Sequence, residues 1–232
     1  LFALGIILTD LAGVAASQSR SGFMVLLVVL GLIAWDHRHL ITLKRLGLVI
    51  FFAGVVGGGV IVSLPDSFWA RQATVFDSGG DDRSLGRRFS YVLVGRDAFF
   101  DSPLLGHGPG TFPDLYGRSS YAPQFVTKFD TELERYAHNT YIEVIVGAGL
   151  PGLIFFLALL ARTLANMRQA RDLYAAAGDE DAAGLSRAWS LATIGLMVFI
   201  LMLSQLSLKY LWLVIAVSVL LLRFARERKG AS

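Results

Sequence analysis

Six apolar runs limit what this chain can become. They cover approximately residues 1–16, 22–35, 46–64, 140–161, 188–206 and 208–223. A helix crosses the hydrocarbon core of a bilayer with about 20 apolar residues, and several of these runs approach or reach that length. A soluble core has no need of such runs in series. With 54% hydrophobic residues and a mean hydropathy of +0.57, the chain is expected to be an all-α integral membrane protein. The net charge of +3 does not point to nucleic acid, because the basic residues gather beside the apolar runs. No cysteine is present, which removes disulfides and thiolate chemistry. The chain opens at Leu1 inside an apolar run, without Met or a basic leader. It is therefore expected to be the C-terminal part of a longer protein, with helices upstream.

Charge gives the expected orientation. Basic residues cluster at His37-Arg38-His39 with Lys44-Arg45, at Arg162 to Arg187, and from Arg223 to Lys229. If the six runs alternate, all three clusters fall on one side, the cytoplasmic one by the positive-inside rule. Ser17–Ser21, the long polar insert and the hairpin tip Ser207-Leu-Lys209 then face the periplasm. Three parts are expected: transmembrane helices over 1–64, a periplasmic catalytic loop over 65–139, and transmembrane helices with a basic cytoplasmic tail over 140–232. The result is a multi-span helical bundle with a large periplasmic loop containing amphipathic helices. Residues 88–101, with Phe89, Val92, Leu93, Phe99 and Phe100 among polar residues, have the spacing of such a helix. Pro103 and the glycines at 106, 108 and 110 then impose a turn. The stretch 131–139 is expected to be helical and to run into the fourth span.

Several polar residues border the apolar runs. Arg20, in Ser17-Gln-Ser-Arg-Ser-Gly22, fits either a snorkelling interfacial cation or a two-pronged phosphate ligand. Arg87 and Arg88 fit either a solvated pair or an anion site. His138 stands where the chain re-enters apolar sequence, and its ordinary pKa suits proton transfer near neutrality. Asn139 and Glu143 are four apart. An ionisable group near the bilayer, such as Glu143, is a functional candidate, although pairing with an Arg or an amide accounts for it equally. Gly106, Gly108 and Gly110 lack the Lys-Ser/Thr of a nucleotide loop, so a tight turn with close backbone packing competes with a backbone anion nest. No His/Asp/Glu spacing suggests a metal, and no cofactor is expected.

Taken together, Ser19-Arg-Ser-Gly22, Gly86-Arg-Arg88, Phe100-Asp-Ser-Pro-Leu-Leu-Gly-His-Gly-Pro-Gly-Thr-Phe112, His138-Asn-Thr-Tyr-Ile-Glu143 and Gly147-Ala-Gly-Leu-Pro-Gly152 resemble the C-terminal region of the O-antigen ligase and O-antigen polymerase superfamily. The resemblance covers residues 1 to about 160. It departs at Val92, where many relatives carry Trp, and at His107, usually an apolar or small residue. It implies an enzyme of the bacterial inner membrane, with its site facing the periplasm. Such an enzyme moves glycan from an undecaprenyl-diphosphate carrier to a lipid or glycan acceptor such as lipid A-core, with inversion and without a metal. Arg20 and His138 match the family's essential Arg and His. The second essential Arg matches Arg88 by distance to Pro103, or Arg87 by the preceding Gly86. Asn139, Glu143, Gly108 and Gly110 are expected around the substrate. A polysaccharide polymerase and a transferase onto protein Ser/Thr are alternatives of the same class. A transporter of anionic lipid-linked substrates is the alternative from another class, but Asp10 is the one clear mid-span charge, where a transporter calls for several.

Overall fold

In a computed structural model, residues 9, 13–14, 16–17, 19–38, 83–126, 131–207 and 209–231 are described. Every described element is helical, and no strand occurs among the described residues. The expected span over 46–64, Asp10, and the first part of the polar insert lie outside them. The chain divides into two compact units, Leu1–Gly80 and Asp81–Ser232. The first unit contributes α1, Arg20–Asp36, whose N-cap Ser19 accepts a hydrogen bond from the Gly22 amide (3.1 Å). The polar motif between the first two apolar runs is thus a helix start, with Ser at the position where a short side-chain oxygen best satisfies a free amide.

The second unit holds α2 (Arg83–Asp101), α3 (Phe112–Gly117), a 3-10 turn (Ala122–Phe125), α4 (Thr140–Ala176), α5 (Glu180–Phe199) and α6 (Lys209–Ala231). Two of these, α4 and α5, are long and apolar enough to cross a membrane. The amphipathic helix expected over 88–101 is α2, begun five residues earlier. Its inward face, with Tyr91, Val94 and Ala98, packs with Phe112, Tyr116 and Val146 into one core cluster. A second cluster joins α4, α5 and α6 near Phe156, Ile200 and Leu211. A third joins the same helices near Ala170, Ala183 and Leu222. The α4–α5 hairpin is closed by Gly178 at φ +72° and by Asp179, whose side chain caps α5 at the Ala182 amide (3.0 Å).

The feature that organises this unit is a break inside α4. Gly149 has φ 64° and ψ −168°, and Pro151 follows within the helix. In a straight helix Tyr141 and Phe156 would stand about 22 Å apart along the axis. Their rings are 5.8 Å apart, so the break folds the first two turns back across the top of the remaining span. The break also disrupts the i→i+4 ladder. Pro151 has no N–H for the Gly147 carbonyl, and the Leu150 amide turns to Pro103 O (2.8 Å), abandoning Val146. The polar insert supplies both missing donors. His107 N–H reaches Val146 O (2.8 Å), and Gly108 N–H reaches Gly147 O (3.0 Å). The His107 ring secures the other side of the turn, with Nε2 2.9 Å from Ala98 O at the end of α2.

Two glycines make this approach possible. A Cβ on Gly149 would lie 2.5 Å from Leu104 O, and one on Gly106, at φ +68°, would lie 2.6 Å from Ala148 N. Neither obstacle is a flexible side-chain end, so the backbone itself would have to move. Gly110, at φ +81° with nothing within 4 Å of its Cβ position, needs glycine for conformation alone. Gly149→Ala should therefore cost at least about 2 kcal/mol of stability and Gly110→Ala about 1 kcal/mol, combining strain with overpacking in the first case only. Thermal unfolding of the detergent-solubilised variants checks the ranking. Equal losses would mean that contact at the break contributes nothing.

Candidate functional site

The start of α4 is fixed more firmly than a helix end requires. Asn139 is its N-cap, and its Oδ1 accepts from the amides of Tyr141 (3.0 Å) and Ile142 (3.1 Å). Thr140, fully buried, donates its amide to Ile200 O (2.8 Å) and its hydroxyl to Leu203 O (2.7 Å). The same hydroxyl oxygen accepts from the Gln205 amide (3.0 Å). The Tyr141 hydroxyl donates to Met197 O (3.0 Å). Glu143, one turn into the helix, reaches backward: its Oε1 accepts from the Ala137 amide (3.3 Å) and from the Ser204 hydroxyl. Residues 131–137 are not helical, contrary to the helix expected over 131–139. Asn139 and Glu143 consume the local donors in a cap and a back-reaching clasp, which ends any continuation of α4 toward the N-terminus.

His138 stands between these two clamps with φ +48°, the sole non-glycine positive φ among the described residues. A side chain in that region costs on the order of 1–3 kcal/mol and persists only where its neighbours over-determine it. Ala137 is held from one side and Asn139 to Tyr141 from the other. The strained conformation thus presents the imidazole on a rigid mount, open to solvent along one edge. The other side of the ring rests on Tyr91, with centroids 5.9 Å apart. Tyr91 is 1% exposed and also meets Tyr116 (4.8 Å) and Phe112 (6.2 Å) edge to face. Its hydroxyl has no hydrogen-bond partner among the described residues. Burial above all holds the Tyr91 phenol above its ordinary range.

Three guanidiniums surround this pair. The pKa of His138 is lowered from 6.5, first by partial burial and then by the positive fields of Arg88, Arg87 and Arg135, in that order. Arg87 acts most strongly of the three on Tyr91. Arg87 and Arg88 are consecutive and leave α2 about 100° apart, and both act on Tyr91 and His138. The imidazole is therefore neutral at pH 7, beside positive charge, with an exposed edge. Such a group can accept a proton from a hydroxyl while the guanidiniums hold an anion.

Of the residues singled out from the sequence, the structure groups Arg87, Arg88 and His138, and places Asn139 and Glu143 directly behind them. Gly108 lies at the α4 break with its amide engaged by Gly147 O, and Gly110 lies in the same turn. Arg20 is the first residue of α1 in the other unit. Sequence reasoning passed over Tyr91, Arg135 and Ser204. Tyr91 had a legible signal, being three and four residues from the Arg pair and hence on its helical face. Ser204, 61 residues from Glu143, had none.

The clasp gives a specific expectation. Glu143→Gln retains a carbonyl oxygen for the Ala137 amide and Ser204, whereas Glu143→Leu removes it. The leucine variant should speed hydrogen exchange at the Ala137 amide by about tenfold, the equivalent of one hydrogen bond, with the glutamine variant within about threefold of the unmodified protein. Exchange by mass spectrometry on peptides spanning 131–140 measures this. An unaltered leucine variant would show that the segment is held by other contacts.

A family model described as O-antigen ligase matches residues 5–157, more than half of the 232-residue chain. A search of curated proteins finds no match to it. The matched region includes the Ser19–Gly22 cap, the Arg pair of α2, the turn that enters the α4 break, and the strained His138. The chain belongs to the O-antigen ligase family, whose members transfer glycans.

Proposed function

We propose that this protein transfers glycan from an undecaprenyl-diphosphate carrier to an acceptor hydroxyl, lipid A-core in the first instance, with inversion and without a metal. The observation that carries the reading is His138: a strained, clamped imidazole kept neutral by partial burial and three guanidiniums. The acceptor hydroxyl attacks the anomeric carbon from the face opposite the diphosphate. A bond forms from the acceptor oxygen to C1, the C1–O bond to phosphate breaks, and the electron pair leaves on undecaprenyl diphosphate. Nε2 or Nδ1 of His138 takes the hydroxyl proton. Negative charge grows on the diphosphate as its bond breaks, and fixed guanidiniums lower that barrier directly because they need no reorganisation. Arg88 is the favoured partner for this charge, because its field on His138 exceeds that of Arg87. Arg20 belongs to the same reaction on the family resemblance alone. The insert carrying these groups faces the periplasm in this reading, with the basic ends of α4 and α6 in the cytoplasm.

Three measurements test the proposal. In reconstituted enzyme, His138→Ala and Arg88→Ala should each lose on the order of a hundredfold in transfer rate, and Arg118→Ala almost nothing. Arg88→Lys should fail nearly as badly as the alanine variant, since an ammonium cannot make the planar two-pronged contact. Turnover should survive EDTA. Near-normal transfer by His138→Ala removes the mechanism, and a strain lacking the protein separates ligase from polymerase. Intact but unattached glycan chains indicate the former, and unextended repeat units the latter.

The pH profile has a definite sign. The base must be neutral, so kcat/KM falls as pH drops through the His138 pKa, which lies below 6.5. Removing a nearby positive charge raises that pKa. The acid limb should therefore move to higher pH in Arg88→Gln, in addition to its loss of rate. An unmoved limb would mean that another group titrates. For orientation, single cysteines at Ser119 and Ser232 in spheroplasts should label and fail to label, respectively, with an impermeant reagent. The reverse pattern places the site on the wrong side of the membrane.

A further inference from the structure

The turn that enters the α4 break carries an apolar tip, Pro103-Leu-Leu105, which belongs to none of the three core clusters. Leu104 is 66% and Leu105 85% exposed. The tip stands where α4 resumes after its break. Pro103 O accepts from the Leu150 amide (2.8 Å), and Leu150 opens a stripe with Ile154 and Leu157 at helical spacing, all three exposed. The leucine pair thus stands at the head of the outward apolar surface of α4. Phe100, also exposed, extends that surface onto the end of α2.

Length gives an independent reason for apolar surface at this level. α4 and α5 are long and apolar enough to cross a membrane, whose hydrocarbon core is about 30 Å thick. Only twelve residues of α4, Leu150 to Ala161, lie between the break and Arg162. In α5 twelve residues, Ala188 to Phe199, lie between Arg187 and the helix end. Each stretch rises about 18 Å. Arginine side chains that snorkel outward add about 5 Å, one helical turn. A layer of about 7 Å is left to fill on the side of the break. The folded-back first turns of α4 occupy its inner part, and the bond of Pro103 to Leu150 sets the exposed leucine pair at the same level. Irregular backbone is admissible there only when its polar groups are met within the protein. Pro103 O, the Gly106 amide and carbonyl, and the amides of His107 and Gly108 are all so bonded.

We propose that the Leu104–Leu105 tip anchors the polar insert in the membrane, inserted among the acyl chains of the leaflet on the side of the α4 break. The occupant is lipid and not a second protein surface, because the tip is level with the unfilled part of the hydrocarbon layer and heads the stripe by which α4 meets it. Immersion is shallow, about 5–10 Å, as for the apolar side chains of other interfacial segments. It stops at Asp101, whose exposed carboxylate lies 3.7 Å from His107 Nε2 and belongs among the headgroups. The insert is then held twice, by backbone hydrogen bonds to α4 and by the bilayer. The inference rests on α4 and α5 as membrane spans and not on the transfer reaction.

The chain has no cysteine, so single spin labels carry no background. The full chain with Leu105→Cys is labelled and reconstituted in vesicles of phosphatidylcholine and phosphatidylglycerol. Collision rates are then measured with oxygen, which concentrates among acyl chains, and with a water-soluble nickel chelate. Phe155→Cys, on the exposed side of α4, and Ser120→Cys, on the surface of the insert, are the lipid and water references. Oxygen collisions should exceed nickel collisions at Leu105 and Phe155, with the order reversed at Ser120. A Leu105 label that meets nickel as Ser120 does overturns the proposal, because the tip is then in water. Low access to both reagents overturns it as well, because protein then covers the tip. A Phe155 label that meets nickel overturns it together with the α4 span, which separates that failure from the tip alone. Leu104→Cys gives the same reading where Leu105→Cys fails to fold.

Discussion

The described architecture of residues 83–231 depends on how one helix tolerates being broken. Gly149 and Pro151 leave Val146 and Gly147, both buried, without their helical donors. The amides of His107 and Gly108 take those places, and Pro103 O takes the displaced Leu150 amide. Three backbone hydrogen bonds thus tie the polar insert to α4. Glycine is required at 106 and 149 because the two backbones come within contact distance there. The break and the turn explain each other: an unbroken α4 would leave no acceptors for the turn, and without the turn the buried carbonyls would be orphaned at about 1–3 kcal/mol each.

The site inherits its rigidity from that junction. The folded-back first turns of α4 lie against α2 on one side and against the 200–205 segment on the other. Both ends of the His138 peptide are therefore held by groups from distant parts of the sequence. Glu143 illustrates how a chemical candidate becomes a structural one. Its carboxylate accepts from the Ala137 amide and Ser204, so its place in the site is behind the imidazole, holding the strand of chain that carries it. The electrostatics run in one direction. Burial and positive neighbours both favour neutral imidazole, and no carboxylate is among the groups acting on it. A base next to an anion site needs this combination, since a protonated His138 would hold the anion but could not accept a proton.

Arg87 and Arg88 start the face of α2 that carries positive charge toward the site. Both act on Tyr91 and on His138, Arg87 more strongly than Arg88 on the phenol and Arg88 more strongly than Arg87 on the imidazole. Tyr91 itself buries its ring almost completely, while its hydroxyl finds no partner among the described residues. It contributes as an aromatic surface that shields one face of the imidazole and thereby helps to depress its pKa.

Much was legible in the chain alone. Apolar run lengths gave the helical class and two helices long and apolar enough to cross a membrane, the 88–101 pattern gave the amphipathic helix, and the glycine-proline series gave the turn. These are local properties, and periodicity and conformational preference report them directly. The sequence also marked His138, by its place beside an apolar run, and Arg87 and Arg88, at the start of the amphipathic segment and within the family resemblance. What it left open depends on contacts between remote segments. The stretch 131–137 has good helix formers, yet it is not helical: Glu143 takes the Ala137 amide, and Asn139 starts α4 as its N-cap. The pairing of Glu143 with Ser204, of Thr140 with the 200–205 segment, and of the 103–108 turn with the α4 break carries no sequence signature. Such pairings exist only once the chain has folded, because the donors and acceptors that meet are set by the bend at Gly149 and not by their neighbours in sequence.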